Sequence, residues 1–288
     1  MSIPQGTQGV TDVEIHHERL GEGPPLVFVH GGPGIGHHYL RQGMDELAEA
    51  GFELVYYDQR GSGGTPIGDP DRVTFAGGIE DLDRLRGDLG LEELNLVGHS
   101  FGAVLALLYA AKHPDGVRSL VLCNTAPPFV PALQSAWMAS MEKRTRAEDQ
   151  AEMKQIEESD AFRQRDPATI ERYFKLRYAP FFRDRENVER ATLGFNSNTA
   201  ANVVEAWERT FRDLEDHDPV GSLAKVRCPT LVVHGEHDPV PAEFAGMVAD
   251  GIDGAEYAFL EGSSHFAFLE DPTLFADAVL PFLRRAAA

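Results

Sequence analysis

The chain has 288 residues, 42% hydrophobic, 25% charged and 9% aromatic. This is an ordinary globular composition, long enough to bury a sizeable core. Lys and Arg number 26 against 46 Asp and Glu, a formal charge of −20, and such a field argues against binding nucleic acid or an anionic membrane surface. Cys123 and Cys228 are the two cysteines; with no CxxC or His-rich neighbourhood, neither a disulfide framework nor a zinc or other metal site is expected. The first residues show no basic segment leading into an apolar run. The longest apolar stretch, residues 103–111, is too short to cross a bilayer. A cytoplasmic location is expected, and nothing in the pattern specifies an oligomeric state.

Strand-like and helix-like segments alternate through the first 125 residues. Residues 10–17 alternate Val13 and Ile15 with polar neighbours, as a half-exposed edge strand does. Short apolar runs at 26–30, 54–58, 94–97 and 120–123 read as buried parallel strands. Helix-length segments lie between them, near 40–50, 78–89 and 101–113. The last of these stops at His113-Pro114, because proline disfavours a helical predecessor. After Pro128 the alternation breaks: residues 147–165 and 202–216 read as amphipathic helices, and Pro167, Pro180 and Pro219 punctuate the region. It resumes with strands at 230–234 and 255–260 and helices near 242–250 and 273–285. The expected architecture is α/β: a mostly parallel sheet with helices on both faces, interrupted by a helical insert. Residues 1–127 and 227–288 form the core in this reading, and 128–226 form a cap.

Chemistry enters at Gly98-His99-Ser100-Phe101-Gly102, which joins a buried strand to an Ala-rich helix. A serine on such a sharp turn presents its hydroxyl above the sheet, and the flanking glycines avoid collisions with strand and helix. Helix capping by Ser100 is the plainer alternative. A hydroxyl nucleophile needs a base, and the base needs an orienting carboxylate. Of the eleven histidines, His265 lies in the loop after the last strand, within reach of the serine. His16, His17 and His113 read as surface or capping residues, and His99 as a ring packed beside the strand. Asp238 follows the preceding strand at its carboxyl end; Glu236 reads as a turn residue, and Asn124, at the rival position, cannot ionise. The order Ser100, Asp238, His265 is nucleophile, acid, base. His30-Gly31-Gly32-Pro33-Gly34 follows the first buried strand, and the N–H groups of Gly32 and Phe101 are the expected oxyanion donors. A dinucleotide loop does not fit, since G-x-G-x-x-G is missing there and Pro33 interrupts a helix start.

Together, His30-Gly-Gly-Pro-Gly34, Asp58-Gln-Arg-Gly-Ser-Gly63, Gly98-His-Ser-Phe-Gly102 and Gly235-Glu-His-Asp238 resemble the proline iminopeptidase family of α/β-hydrolases. The resemblance covers the core and weakens through the cap. It implies an aminopeptidase that releases an N-terminal residue, preferably proline, by acyl transfer through a serine ester, with no metal or organic cofactor. Its substrate would be a small peptide or amino-acid derivative. Ser100 would be the nucleophile, His265 the general base, Asp238 its orienting acid, and Asp58-Gln59-Arg60 a structural turn. The family draws carboxylates for the substrate amino group partly from the cap, where Glu205 and Glu208 are the candidates by position. Trp137, Tyr173, Phe181, Phe195 and Trp207 could wall a proline-sized pocket, with core packing within the cap the alternative for most of them. Two departures bear on the substrate: Pro239 stands where some relatives carry an acid, and Phe101 where many carry Trp or Tyr. A carboxylesterase, amino-acid amidase or lactonase would use the same triad. A non-catalytic ligand-binding homologue would need none of it.

Overall fold

The computed structural model describes residues 12–126, 130–214 and 216–287. Seven strands form one sheet: β1 (His17–Leu20), β2 (Pro25–Val29), β3 (Glu53–Tyr57), β4 (Leu94–His99), β5 (Val117–Cys123), β6 (Thr230–Gly235) and β7 (Glu256–Leu260), in the order β1-β3-β2-β4-β5-β6-β7. Only β1 runs antiparallel, against β3; every other pairing is parallel. Parallel strands need long crossovers, and helices supply them here.

Alternate strand residues divide between two cores, as the period of two requires. Val27, Val29, Leu94, Leu96, Leu120 and Leu122 pack with the helices Phe75–Asp88 and Phe101–Lys112. Leu26, Phe28, Val97, Val121 and Cys123 pack on the other side with helix Pro272–Ala286. The Phe101–Lys112 helix is buried at every residue from Phe101 to Ala110, because it lies between sheet and neighbouring helices. That is why it reads as apolar all round rather than amphipathic.

The first strand differs from expectation. Val13 and Ile15 are buried, yet the ladder with β3 begins only at His17, and Val10 and Thr11 lie outside the described residues. The alternation records burial of an extended segment, not strand pairing. Between β5 and β6 the long connection carries the helices Pro131–Arg144, Ala147–Glu157, Pro167–Tyr178 and Ser197–Leu214. Pro167 opens its helix instead of closing one: Asp166 accepts from the Thr169 N–H at 2.9 Å, and proline suits the first turn. Ile170, Phe174, Val203 and Ala200 of this connection join the second core, which ties it to the sheet domain. Among the described residues no helix is long and apolar enough to cross a membrane.

Candidate active site

Strand β4 delivers Ser100 at φ 55° and ψ −120°, a conformation that side chains rarely adopt. The turn is over-determined by its surroundings. Ser100 N–H donates to the Cys123 carbonyl at 2.9 Å, and the Ser100 carbonyl accepts from Ala103 and Ala126 N–H at 3.1 Å each. Its glycines are sterically required: a Cβ on Gly98 would lie 2.6 Å from Ala103 Cα, and one on Gly102 would lie 2.1 Å from the Val29 carbonyl oxygen. Gly102→Ala is therefore expected to destabilise the protein by about 3 kcal/mol through overpacking, read as a lower urea midpoint with unchanged slope.

His265 and Asp238 meet as expected. His265 Nδ1 lies 2.8 Å from Asp238 Oδ2, and both residues are buried. A carboxylate accepts only, so Nδ1 carries the proton and Nε2 is the unprotonated nitrogen of the neutral ring. Burial alone would raise the Asp238 carboxyl, but the His265 imidazole, its hydrogen bond, His234 and the Val240 N–H outweigh that and hold it below the usual range. Asn124, at φ 46°, donates through Nδ2 to Asp238 Oδ2 at 2.9 Å and to the Ser264 carbonyl at 3.2 Å. Asn124 cannot ionise, but its amide bonds both the Asp238 carboxylate and the loop that carries His265. Glu236 is a turn residue, accepting from Gly262 N–H at 2.8 Å.

Ser100, His265, Gly32 and Phe101 all line one cleft of about 520 Å³, counting the part open to solvent. A Cβ on Gly31 would sit 2.8 Å from Ser100 Cβ, so the glycine loop lies directly against the serine. Gln59 supports that loop from behind, and Asp58 and Arg60 brace the turn that carries Gln59. Asp58 accepts from His37 N–H at 3.0 Å and Gly64 N–H at 2.8 Å, Gln59 Nε2 donates to the His30 carbonyl at 2.6 Å, and Arg60 grips Asp81 with two nitrogens at 2.5 and 2.9 Å.

The cleft wall is aromatic: Trp137, Tyr178, Phe181, Trp207, Phe211 and Phe266. Tyr173 and Phe195 pack against Phe174 within the connection, as cap core and not as cleft wall. Glu205 and Glu208 need the larger correction. Both are exposed, outside the cleft lining, and Glu205 accepts from Arg209 Nε at 2.8 Å. Helix Ser197–Leu214 turns Val203, Ala206 and Thr210 inward, and that phase points positions 205 and 208 to solvent. Among the described residues no Asp or Glu lines the cleft.

Two groups escaped the sequence argument. The Tyr178 hydroxyl is set against the Trp207 indole, and Trp137 Nε1 is a buried donor without a partner, all on residues that line the cleft. Glu18, His37 and His38 lie close enough to suggest a metal. However, Arg41 already holds Glu18. The two imidazoles stack at 4.7 Å with 13° between their planes, which does not converge their lone pairs.

The α/β hydrolase fold family matches residues 24–272. The chain is 31% identical over 283 residues to a proline iminopeptidase from Lactobacillus acidophilus, covering 94% of each. Its structure resembles that of the proline iminopeptidase from Mycobacterium smegmatis, with a TM-score of 0.66, 24% identity and 96% of each chain covered. It equally resembles an esterase from Exiguobacterium antarcticum, with a TM-score of 0.70, 22% identity and 94% and 96% coverage. At those identities the two structures speak for the fold alone.

Proposed function

We propose that this chain, which belongs to the proline iminopeptidase family of α/β-hydrolases, releases the N-terminal residue, proline preferred, from small peptides or amino-acid amides through a Ser100 ester. The observation that carries the reading is the Asp238–His265 pair at 2.8 Å opening, with Ser100, into a small aromatic-walled cleft. In this mechanism His265 Nε2 takes the Ser100 hydroxyl proton as Oγ attacks the scissile carbonyl. The oxyanion is received by the N–H groups of Gly32 and Phe101, and Asp238 stabilises the imidazolium. That proton then goes to the leaving amine, and a water activated by the same imidazole hydrolyses the acyl-enzyme. Residues 128–226 act as a cap, supplying the aromatic wall against which a proline ring packs.

The amino group is the point of departure from the sequence expectation. With Glu205 and Glu208 turned outward and the Trp207 ring already taken by Arg177 at 4.7 Å, the faces of the other cleft aromatics are what the described residues offer a cation. The unpartnered Trp137 donor favours a second reading, an esterase or lactonase whose substrate oxygen it would meet.

An assay separates the two. Prolyl, alanyl and N-acetylprolyl arylamides are compared with p-nitrophenyl butyrate, with Ser100→Ala as control. The aminopeptidase reading expects the free prolyl arylamide to be cleaved at least about tenfold faster than the alanyl one, and the acetylated one hardly at all. Turnover of the butyrate ester alone would hand the site to the second reading.

A further inference from the structure

The residue before the nucleophile does more than pack. We infer that His99 and Tyr39 are positioning residues that hold the oxyanion loop and the general base at a set separation across the nucleophile turn. This rests on the assignment of Ser100, His265 and Gly32 made above.

One unbroken chain of hydrogen bonds joins the two parts. Gly31 N–H donates to Tyr39 Oη at 2.7 Å, Tyr39 Oη lies 2.8 Å from His99 Nδ1, and His99 Nε2 lies 2.9 Å from the backbone carbonyl of His265. A carbonyl can only accept, so Nε2 carries the His99 proton. In the neutral ring Nδ1 is then an acceptor, the Tyr39 O–H donates to it, and the tyrosine oxygen keeps a lone pair for Gly31. Each partner thus has one possible polarity. All three side chains are buried, with His99 packed against Tyr39, His265, Phe266 and Phe268 at centroid distances of 4.9–5.5 Å. Burial pushes the His99 imidazole down to about 3, so the neutral tautomer persists at any working pH.

The two ends of this chain are the parts that must cooperate. At one end Tyr39 takes the Gly31 N–H, which leaves the adjacent Gly32 N–H for the oxyanion. At the other, the bonded carbonyl belongs to the base itself. His99 also immediately precedes Ser100. One buried imidazole therefore sets nucleophile, base and oxyanion loop relative to each other. A displacement of about 1 Å between such groups can cost a hundredfold in rate.

The test uses the full chain and p-nitrophenyl butyrate, an ester that does not depend on proline preference, alongside the prolyl arylamide. Tyr39→Phe deletes a single oxygen and keeps the ring, so it folds where a larger change fails. His99→Gln keeps a donor for the His265 carbonyl, and His99→Phe removes both bonds. Tyr39→Phe and His99→Phe are expected to lower kcat about 10- to 100-fold with KM within twofold. His99→Gln should retain an intermediate rate. The double variant Tyr39→Phe/His99→Phe should be no slower than His99→Phe, because both break one chain. Wild-type kcat in folded Tyr39→Phe, with only the melting temperature lowered, overturns the relay. So do losses that multiply in the double variant. Ser100→Ala keeps the two ideas apart: if it still turns over either substrate, the site assignment itself has failed, whereas a dead Ser100→Ala beside a fully active Tyr39→Phe sinks the relay alone.

Discussion

Ser100→Ala is expected to lower kcat on any cleaved substrate by at least about 10⁴-fold, since removing the nucleophile of such a triad leaves only binding and the oxyanion donors. Its stability should barely change, because alanine meets the same backbone strain. Ser100→Gly separates function from stability more sharply. At φ 55° and ψ −120° a side chain costs about 1–3 kcal/mol, and glycine removes that cost while loosening the unfolded chain by less than about 1 kcal/mol. The glycine variant should therefore be inactive yet melt above the wild type. A glycine variant that melts below Ser100→Ala would mean that the turn is not strained in the folded protein.

That strain is why a candidate site can be picked out from the sequence. A serine between glycines at a strand-to-helix junction has few structural uses, and the triad's order along the chain follows from strand order. The parallel strands were equally plain, because burial on both faces writes continuous apolar runs. The failures share a cause as well. Glu205 and Glu208 depend on the phase of one helix, and a shift of one residue turns a side chain by about 100°. Tyr173 and Phe195 show that an aromatic in a cap packs as readily with its neighbours as against a substrate. Asn124 and His99 were passed over because they were judged as chemical reagents, acid and base. Asn124 bonds the Asp238 carboxylate and His99 bonds the His265 carbonyl, long-range contacts that no local pattern encodes.

Stability should fall with acid from about pH 6.5, above the range in which Asp58 and Asp238 titrate. Burial pushes His30 down to about 4 and His99 down to about 3, from an unfolded value near 6.5. Each ring also uses one nitrogen as an acceptor: His30 Nε2 takes the Gln59 N–H at 2.9 Å, and His99 Nδ1 takes the Tyr39 hydroxyl at 2.8 Å. Protonation would break both bonds. Between pH 6.5 and the folded values the unfolded chain binds protons that the folded chain refuses, so stability is complete above 6.5 and drains away as pH falls. At pH 5 the two rings together withdraw about 4 kcal/mol, a large share of the 5–15 kcal/mol typical of a folded domain. Asp238 and Asp58 do not offset this. Burial raises both, imidazole neighbours lower them further, and Asp58 ends at about 2, so their titration begins only below the ordinary carboxylate value of about 3.9. Urea midpoints taken from pH 7.5 to 5 should therefore drop continuously, and His99→Phe should have the shallower slope. A midpoint that stays level to pH 5 would show that these imidazoles accept protons in the folded state. The tautomer on which the Tyr39–His99 relay depends would then be lost in the same range.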